Sequence, residues 1–221
     1  MKRHALRSLI AFTAVGLLLF GAAACGGDDD KGGNEEPQFT GEPQLSDNAV
    51  PFTSGPFSGM AEPDWFPIYL VLQDATTIRP AEAKGRGIQA VVEKFFNQPS
   101  VSHVFYVFFE DVPEFSSSMN ILRCEPPGSE QVTGSVETML KFYKENNIPA
   151  RSVGTATYNS TNYDILKVDL SEGYDTYIVP LKTGTCITPA TLVTKPGDGA
   201  KVEAFRAVLS KLVIDTTKLP R

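Results

Sequence analysis

Residues 151–194 read RSVGTATYNSTNYDILKVDLSEGYDTYIVPLKTGTCITPATLVT, and this stretch decides the fold. Four segments, 151–158, 163–170, 174–181 and 185–194, are rich in β-branched and aromatic residues. Short polar connections at 159–162, 171–173 and 182–184 join them. Runs of this kind separated by turn residues are hairpin signals and predict an antiparallel meander. Pro180 and Pro189 are expected at edges or bulges, because proline donates nothing to a ladder. On the N-terminal side, residues 135–146 place Val136, Met139, Leu140 and Tyr143 on one helical face. Asn146-Asn147-Ile148-Pro149 then stops that helix. On the C-terminal side, Lys195-Pro196-Gly197-Asp198 is a turn with Asp198 as a helix cap. Val202, Phe205, Leu209 and Leu212 line the buried face of the helix that follows. Helix, four-strand meander, helix is α+β, an antiparallel β-sheet meander with helices packed on it. The absence of regular βαβ alternation argues against a doubly wound nucleotide-binding fold.

Further upstream, residues 103–110 (HVFYVFFE) form the strongest strand in the chain. Both its faces are apolar, which suits the centre of a sheet covered on two sides. Residues 118–125 read as another strand, with Cys124 near its end. Residues 65–72 read as a strand, although eight apolar-rich residues also fit a helix. Within 81–97, Ile88, Val91, Val92, Phe95 and Phe96 share a helical face, while Gly85 and Gly87 weaken its first turns. Residues 46–60, rich in Pro, Gly and Ser, are expected as an irregular surface strap.

The first 24 residues carry a different message. Lys2, Arg3 and Arg7 precede an apolar run, which ends in Gly21-Ala22-Ala23-Ala24-Cys25. A positive head, a short apolar core and small exit residues describe a secretory signal peptide. The cysteine after three alanines is similar to the bacterial lipobox. There a diacylglycerol is linked to the cysteine sulfur and the signal, residues 1–24, is removed. Residues 25–45 hold almost no large apolar side chain and are expected as a disordered acidic, glycine-rich tether. Residues 46–221 are expected as one α+β domain. Stable anchoring takes about two acyl chains, each buried CH₂ contributing about 0.8 kcal/mol. Lipid, including palmitate, on Cys25 therefore suffices to hold the chain to a membrane. A plain secreted protein with an incidental Cys25 is the rival reading.

Removing residues 1–24 takes away three cations and no anion, leaving 17 Lys+Arg against 26 Asp+Glu, a formal charge of −9. An acidic chain without a basic cluster is a poor nucleic-acid binder. With Cys25 lipidated, Cys124 and Cys186 remain. Outside the cytoplasm an even pair reads as a disulfide, closing a loop for roughly 4 kcal/mol in the entropic account. Two buried free thiols are the alternative.

Catalytic constellations are hard to find. His103 is the one histidine after residue 24; with Cys124 and Cys186 paired no His/Cys zinc set exists, and a Ser-His-Asp enzyme would have to use His103 without a Gly-x-Ser-x-Gly elbow. Gly85-Arg86-Gly87 lacks the third glycine of a dinucleotide fingerprint. Glu110 with Asp111, or Asp164 with Asp169, are formal carboxylate pairs of the kind an envelope hydrolase needs. No catalytic residue, cofactor or metal ligand is assigned. The chain's 14 Phe, 7 Tyr and 1 Trp suit either a large core or a pocket for a lipid or glycolipid ligand. Tyr158, Tyr163, Tyr174 and Tyr177 fall around the hairpins, where tyrosines serve sugar stacking or protein contacts.

From Met119 onward the order and texture resemble the PsbP-like superfamily, including its bacterial, actinobacterial-type envelope lipoproteins. The stretches that carry the resemblance are MNILRCEPPG, SVETMLKFYKENNIP, ATYNSTNYDILKVDL, YDTYIVPLKTGTCITPATL and the closing FRAVLSKLVID. The match lies within residues 119–215. The resemblance implies a binding or assembly factor and not an enzyme, and it carries over no functional residue. The resulting expectation is a non-enzymatic lipoprotein of the bacterial cell envelope. It is extracytoplasmic, held to the membrane through Cys25, and binds an envelope protein partner. A carrier or sensor of an amphipathic lipid or glycolipid, and a hydrolase with paired carboxylates, are the alternatives.

Overall fold

The computed structural model describes residues 38–70, 104–109, 117–121, 136–170, 173–183 and 186–218. Ten strands and two helices lie among them. They are β1 (Val50–Ser54), β2 (Phe57–Ala61), β3 (Phe66–Leu70), β4 (Val104–Phe108), β5 (Ser118–Ile121) and α1 (Val136–Glu145). Then follow β6 (Ala150–Tyr158), β7 (Thr161–Val168), β8 (Asp175–Thr183), β9 (Cys186–Thr194), α2 (Gly199–Lys211) and β10 (Val213–Ile214). Seven strands make one antiparallel sheet in the order β3-β4-β5-β9-β8-β7-β6, and β1-β2-β10 make a small second sheet. The expected meander is present as β6 to β9, and the α+β class is that of the molecule.

Local chemistry explains why these elements start and stop where they do. Asn159 and Ser160, joining β6 to β7, both have positive φ (48° and 60°). A type I′ hairpin requires that at both central residues. The turn is thus two residues long, and β7 starts earlier than position 163. Glu137 in the first turn and Lys144 in the last turn of α1 complement its dipole. Asn147 (φ 58°) closes α1 in the left-handed conformation. The Ile148 N–H then donates to the Tyr143 carbonyl and the Asn147 N–H to that of Lys144, a Schellman ending. Asp198 caps α2, its carboxylate accepting the Lys201 N–H at 3.1 Å.

The core lies on two faces of the large sheet. On one, α2 packs Val202, Phe205, Val208 and Leu209 onto Met119, Ala190, Leu192, Val179 and Ile165. On the other, α1 packs Met139 and Tyr143 onto Leu166, Val168 and Ile178. Phe105 to Phe108 of β4 are all buried, as a central strand covered on both sides demands. Its rings pack against their neighbours: Phe57 stacks on Phe105 with centroids 4.3 Å apart, and Trp65 meets Phe109 edge-on at 4.9 Å. For Phe105 and Phe109, the core reading of the aromatic weight is the one realised. Phe95 and Phe96, with the helix expected over 81–97, lie outside the described residues.

Two expectations change. Residues 46–60 are not a mere strap, since 50–54 and 57–61 form the β1–β2 hairpin. Gly55 makes the turn at φ +59°, and a Cβ there would stand 2.2 Å from the Tyr69 ring. Strands of five residues broken by Pro and Gly hide their alternation. Pro180 and Pro189 lie in interior strands of the sheet and not on edge strands, facing each other across β8 and β9. The β7–β8 register ends at Leu166↔Ile178, two residues short of Pro180, so that proline breaks no registered β7 bond.

Candidate functional site: a docked N-terminal arm over a buried polar centre

Residues 38–45, expected as the end of a disordered tether, are docked on the domain. The reason is Phe39, the one large aromatic in that polar stretch. Its N–H donates to the Val153 carbonyl, and its own carbonyl accepts the Thr155 N–H, both at 2.9 Å. The arm so forms a parallel bridge on β6, the outermost strand, at Gly154. The Phe39 side chain is 5% exposed and meets Tyr177 edge-on at 6.3 Å. Gly154 is obligatory here. Its φ is +147°, and a Cβ would stand 2.2 Å from the Phe39 carbonyl oxygen and 2.7 Å from its nitrogen.

Arg206 fastens the arm from the other side. This side chain is 2% exposed in the middle of α2. Its Nε donates to the Thr155 carbonyl at 2.6 Å, and its Nη2 donates to the Gly41 carbonyl. Nη1 meets both Glu203 carboxylate oxygens, at 2.8 and 2.6 Å. A guanidinium has a planar fork of five donors. Here the fork joins helix, edge strand and arm. Burying such a charge costs several kcal/mol unless it is paired and hydrogen-bonded, and these four contacts meet that cost.

Beneath Phe39 lies a second polar group. Lys167 Nζ sits 3.0 Å from Asp175 Oδ2, the two side chains 13% and 11% exposed. The Tyr177 hydroxyl donates to the same oxygen at 3.2 Å, and the Gly197 N–H donates to it at 2.9 Å. Lys167 is the cross-strand partner of Tyr177, so it reaches Asp175 along the diagonal, with its ammonium 5.8 Å from the Tyr177 ring centroid. This cluster ties β7, β8 and the turn before α2 together under the arm. Lys167, the Tyr177 hydroxyl and the Gly197 N–H all converge on Asp175, so the cluster fixes these three elements against one another.

Few of the residues singled out in the sequence converge here. Cys25, Cys124, His103, Glu110 and Asp111 lie outside the described residues. Cys186 opens β9 as the cross-strand partner of Thr183. Asp164 and Asp169 do not share a cleft. Five residues of extended chain span about 17 Å, and each carboxylate has its own partner: Ser152 Oγ at 3.4 Å for Asp164, Arg151 at 3.9 Å for Asp169. Among the tyrosines, Tyr158 and Tyr177 are buried and not surface contacts. The Tyr158 phenol is pushed up by burial and by Tyr163, whose ring is 6.4 Å away. Among the described residues no group of three or more His, Cys, Asp or Glu is placed to hold a metal. Among the same residues no helix is long and apolar enough to cross a membrane.

The sequence reading missed Phe39, Arg206, Lys167 and Asp175. Three of them carried a signal. Arg206 lies four residues after Val202 on the apolar stripe of α2, and Lys167 and Asp175 occupy inward positions of their strands by the two-residue period. A charge on an inward position asks for a buried partner.

No protein-family model matches the chain, and no curated protein is similar to it in sequence. Among solved structures, cyanobacterial PsbP from Synechocystis is similar in shape, with a TM-score of 0.39 and 9% identity. That likeness covers 80% of this chain and 98% of that one. At this level it carries no argument, and the α+β assignment stands on the strand order.

Proposed function

We propose that the chain is a non-enzymatic lipoprotein of the bacterial cell envelope. It is held outside the cytoplasm by lipid on Cys25 and presents residues 46–221 as a partner-binding or assembly module. The observation that carries this reading is the succession Ala22-Ala23-Ala24-Cys25, then an acidic polar segment, then an arm docked on the domain edge. That order suits a folded module on a short leash. The PsbP-like texture of residues 119–215 supports a binding or assembly role over an enzymatic one.

Disulfide pairing of Cys124 with Cys186 belongs to the same reading. Ile121 and Ala190 are cross-strand partners on β5 and β9. In sequence Cys124 follows Ile121 by three residues, and Cys186, which opens β9, precedes Ala190 by four. A Cα separation of 4.4–6.8 Å suits a disulfide.

The test is expression of the full chain in a bacterial host fed an alkyne fatty acid. The label should enter the wild type and be lost in Cys25→Ala, which should leave the membrane fraction. An unlabelled wild type in the soluble fraction would refute the anchor. In-cell crosslinking should then capture one reproducible envelope partner. Native mass spectrometry showing a bound lipid in place of a partner would transfer the module to the carrier reading.

A further inference from the structure

We propose that the docked arm is the suspension point of the domain, hanging it from the β6 end of the sheet and turning the β1–β3 end away from the membrane. This inference rests on lipid anchoring at Cys25.

The arm differs from a loose linker in where it transmits a pull. Both backbone polar groups of Phe39 are bonded to β6, its ring is buried, and Arg206 holds the Gly41 carbonyl. Tension on the tether is therefore delivered to β6 and α2. Between Cys25 and Phe39 the chain has 14 steps, at most about 50 Å fully extended and about 20 Å as a flexible coil. The attached edge stays close to the surface.

Undocking would change more than length. Beyond Pro43, which is also buried, the chain is tied down at Ser46, whose N–H and hydroxyl both donate to the Glu62 carboxylate. Glu62 lies between β2 and β3. The β1–β2 hairpin is in turn fixed to β3, where the Tyr69 N–H donates to Ser54 Oγ at 2.7 Å. β6 and β3 are the two outermost strands of the seven, and six interstrand spacings are about 29 Å. Losing the arm would move the attachment towards the β3 side by up to about 25 Å, the reach of the seven residues from Phe39 to Ser46. The end that faces outward when the arm is docked carries β1 and β2, strands with no charged residue. Within that small sheet are the two large exposed apolar side chains of the described residues, Val50 (45% exposed) and Val213 (61%).

Energy transfer on the full-length lipidated protein in phosphatidylcholine vesicles tests this. A donor is placed at exposed position 151 on β6 or at exposed position 53 on β1, with an acceptor on the lipid headgroups. Transfer should be more efficient from 151 than from 53. Gly154→Val, which expels Phe39, should lose or reverse that difference. Phe39→Ser, which leaves β6 unaltered, should act in the same direction if Gly154→Val does not fold. Equal or inverted transfer in the wild type overturns the suspension while leaving the anchor standing. Failure of the wild type to bind vesicles removes the anchor, and the suspension with it.

Discussion

The two helices pack on opposite faces of one sheet and solve different problems. α1 is a conventional amphipathic helix. Met139 and Tyr143 point inward against Leu166, Val168 and Ile178, and the outer side carries exposed charges such as Lys141 and Glu145. α2 buries six of its residues, and one of them is Arg206. A helix that faces only a sheet has no use for a buried guanidinium. One that must also hold a foreign segment does, because a single fork of donors reaches the backbone carbonyls of both Gly41 on the arm and Thr155 on β6. The difference teaches that a charge on an apolar stripe marks a third body.

The largest effect should come from Gly154→Val. The Cβ clash with the Phe39 backbone and a φ that L-residues rarely adopt should together cost about 3–4 kcal/mol. Urea midpoints check the loss, and amide exchange should show Thr155 unprotected. Arg206→Ala should follow at about 3 kcal/mol, with Arg206→Lys recovering only part, since an ammonium lacks the planar fork. Full recovery by lysine would mean that the charge matters and the geometry does not. Asp175→Asn, which leaves the Lys167 ammonium with weaker acceptors, should cost about 2 kcal/mol. Adding Lys167→Met should restore part of that, and a strictly additive double variant would deny the coupling.

The α1 side should respond in another currency, pH. Burial pushes the Tyr143 phenol up to about 12. Unfolded, it ionises near 10, so the unfolded chain loses the proton first and stability falls as pH rises from about 10 to about 12. At neutral pH Tyr143→Phe should change stability by less than about 1 kcal/mol. Above pH 10 the variant should hold its melting temperature better than the wild type, and parallel alkaline limbs would refute the assignment. The smallest effect belongs to Asp215, an exposed carboxylate lowered to about 2, first by the Thr217 hydroxyl and then by Lys218. Its contribution is present above the ordinary carboxylate pKa and disappears as pH falls towards 2, so Thr217→Val should flatten that acid limb slightly.

The same contrast accounts for what was legible in the sequence. α1, the meander and α2 announce themselves because hairpin chemistry and helical period repeat over many residues. Asn159-Ser160, Asn147 and Asp198 mark their ends by conformations or caps that few residues provide. The arm does not repeat anything. One phenylalanine in a polar stretch is averaged away by any window long enough to detect disorder, and a single bridge has no period. The β1–β2 hairpin escaped for a related reason: Pro51, Gly55 and Pro56 break it into pieces of five residues. The polar centre was half legible, since Lys167 and Asp175 sit at inward positions, but which charge meets which depends on strand register.

The contact between Gly41 and Arg206 joins positions 165 residues apart. The arm is made early and its slot late, because β6 and α2 come from the C-terminal third of the chain. Closing so long a loop gains nothing until the far side exists. Until β6 and α2 have been made, Phe39 has nowhere to be buried. Docking of the arm therefore needs β6 and α2 in place, and the molecule's final posture depends on the C-terminal third of its chain.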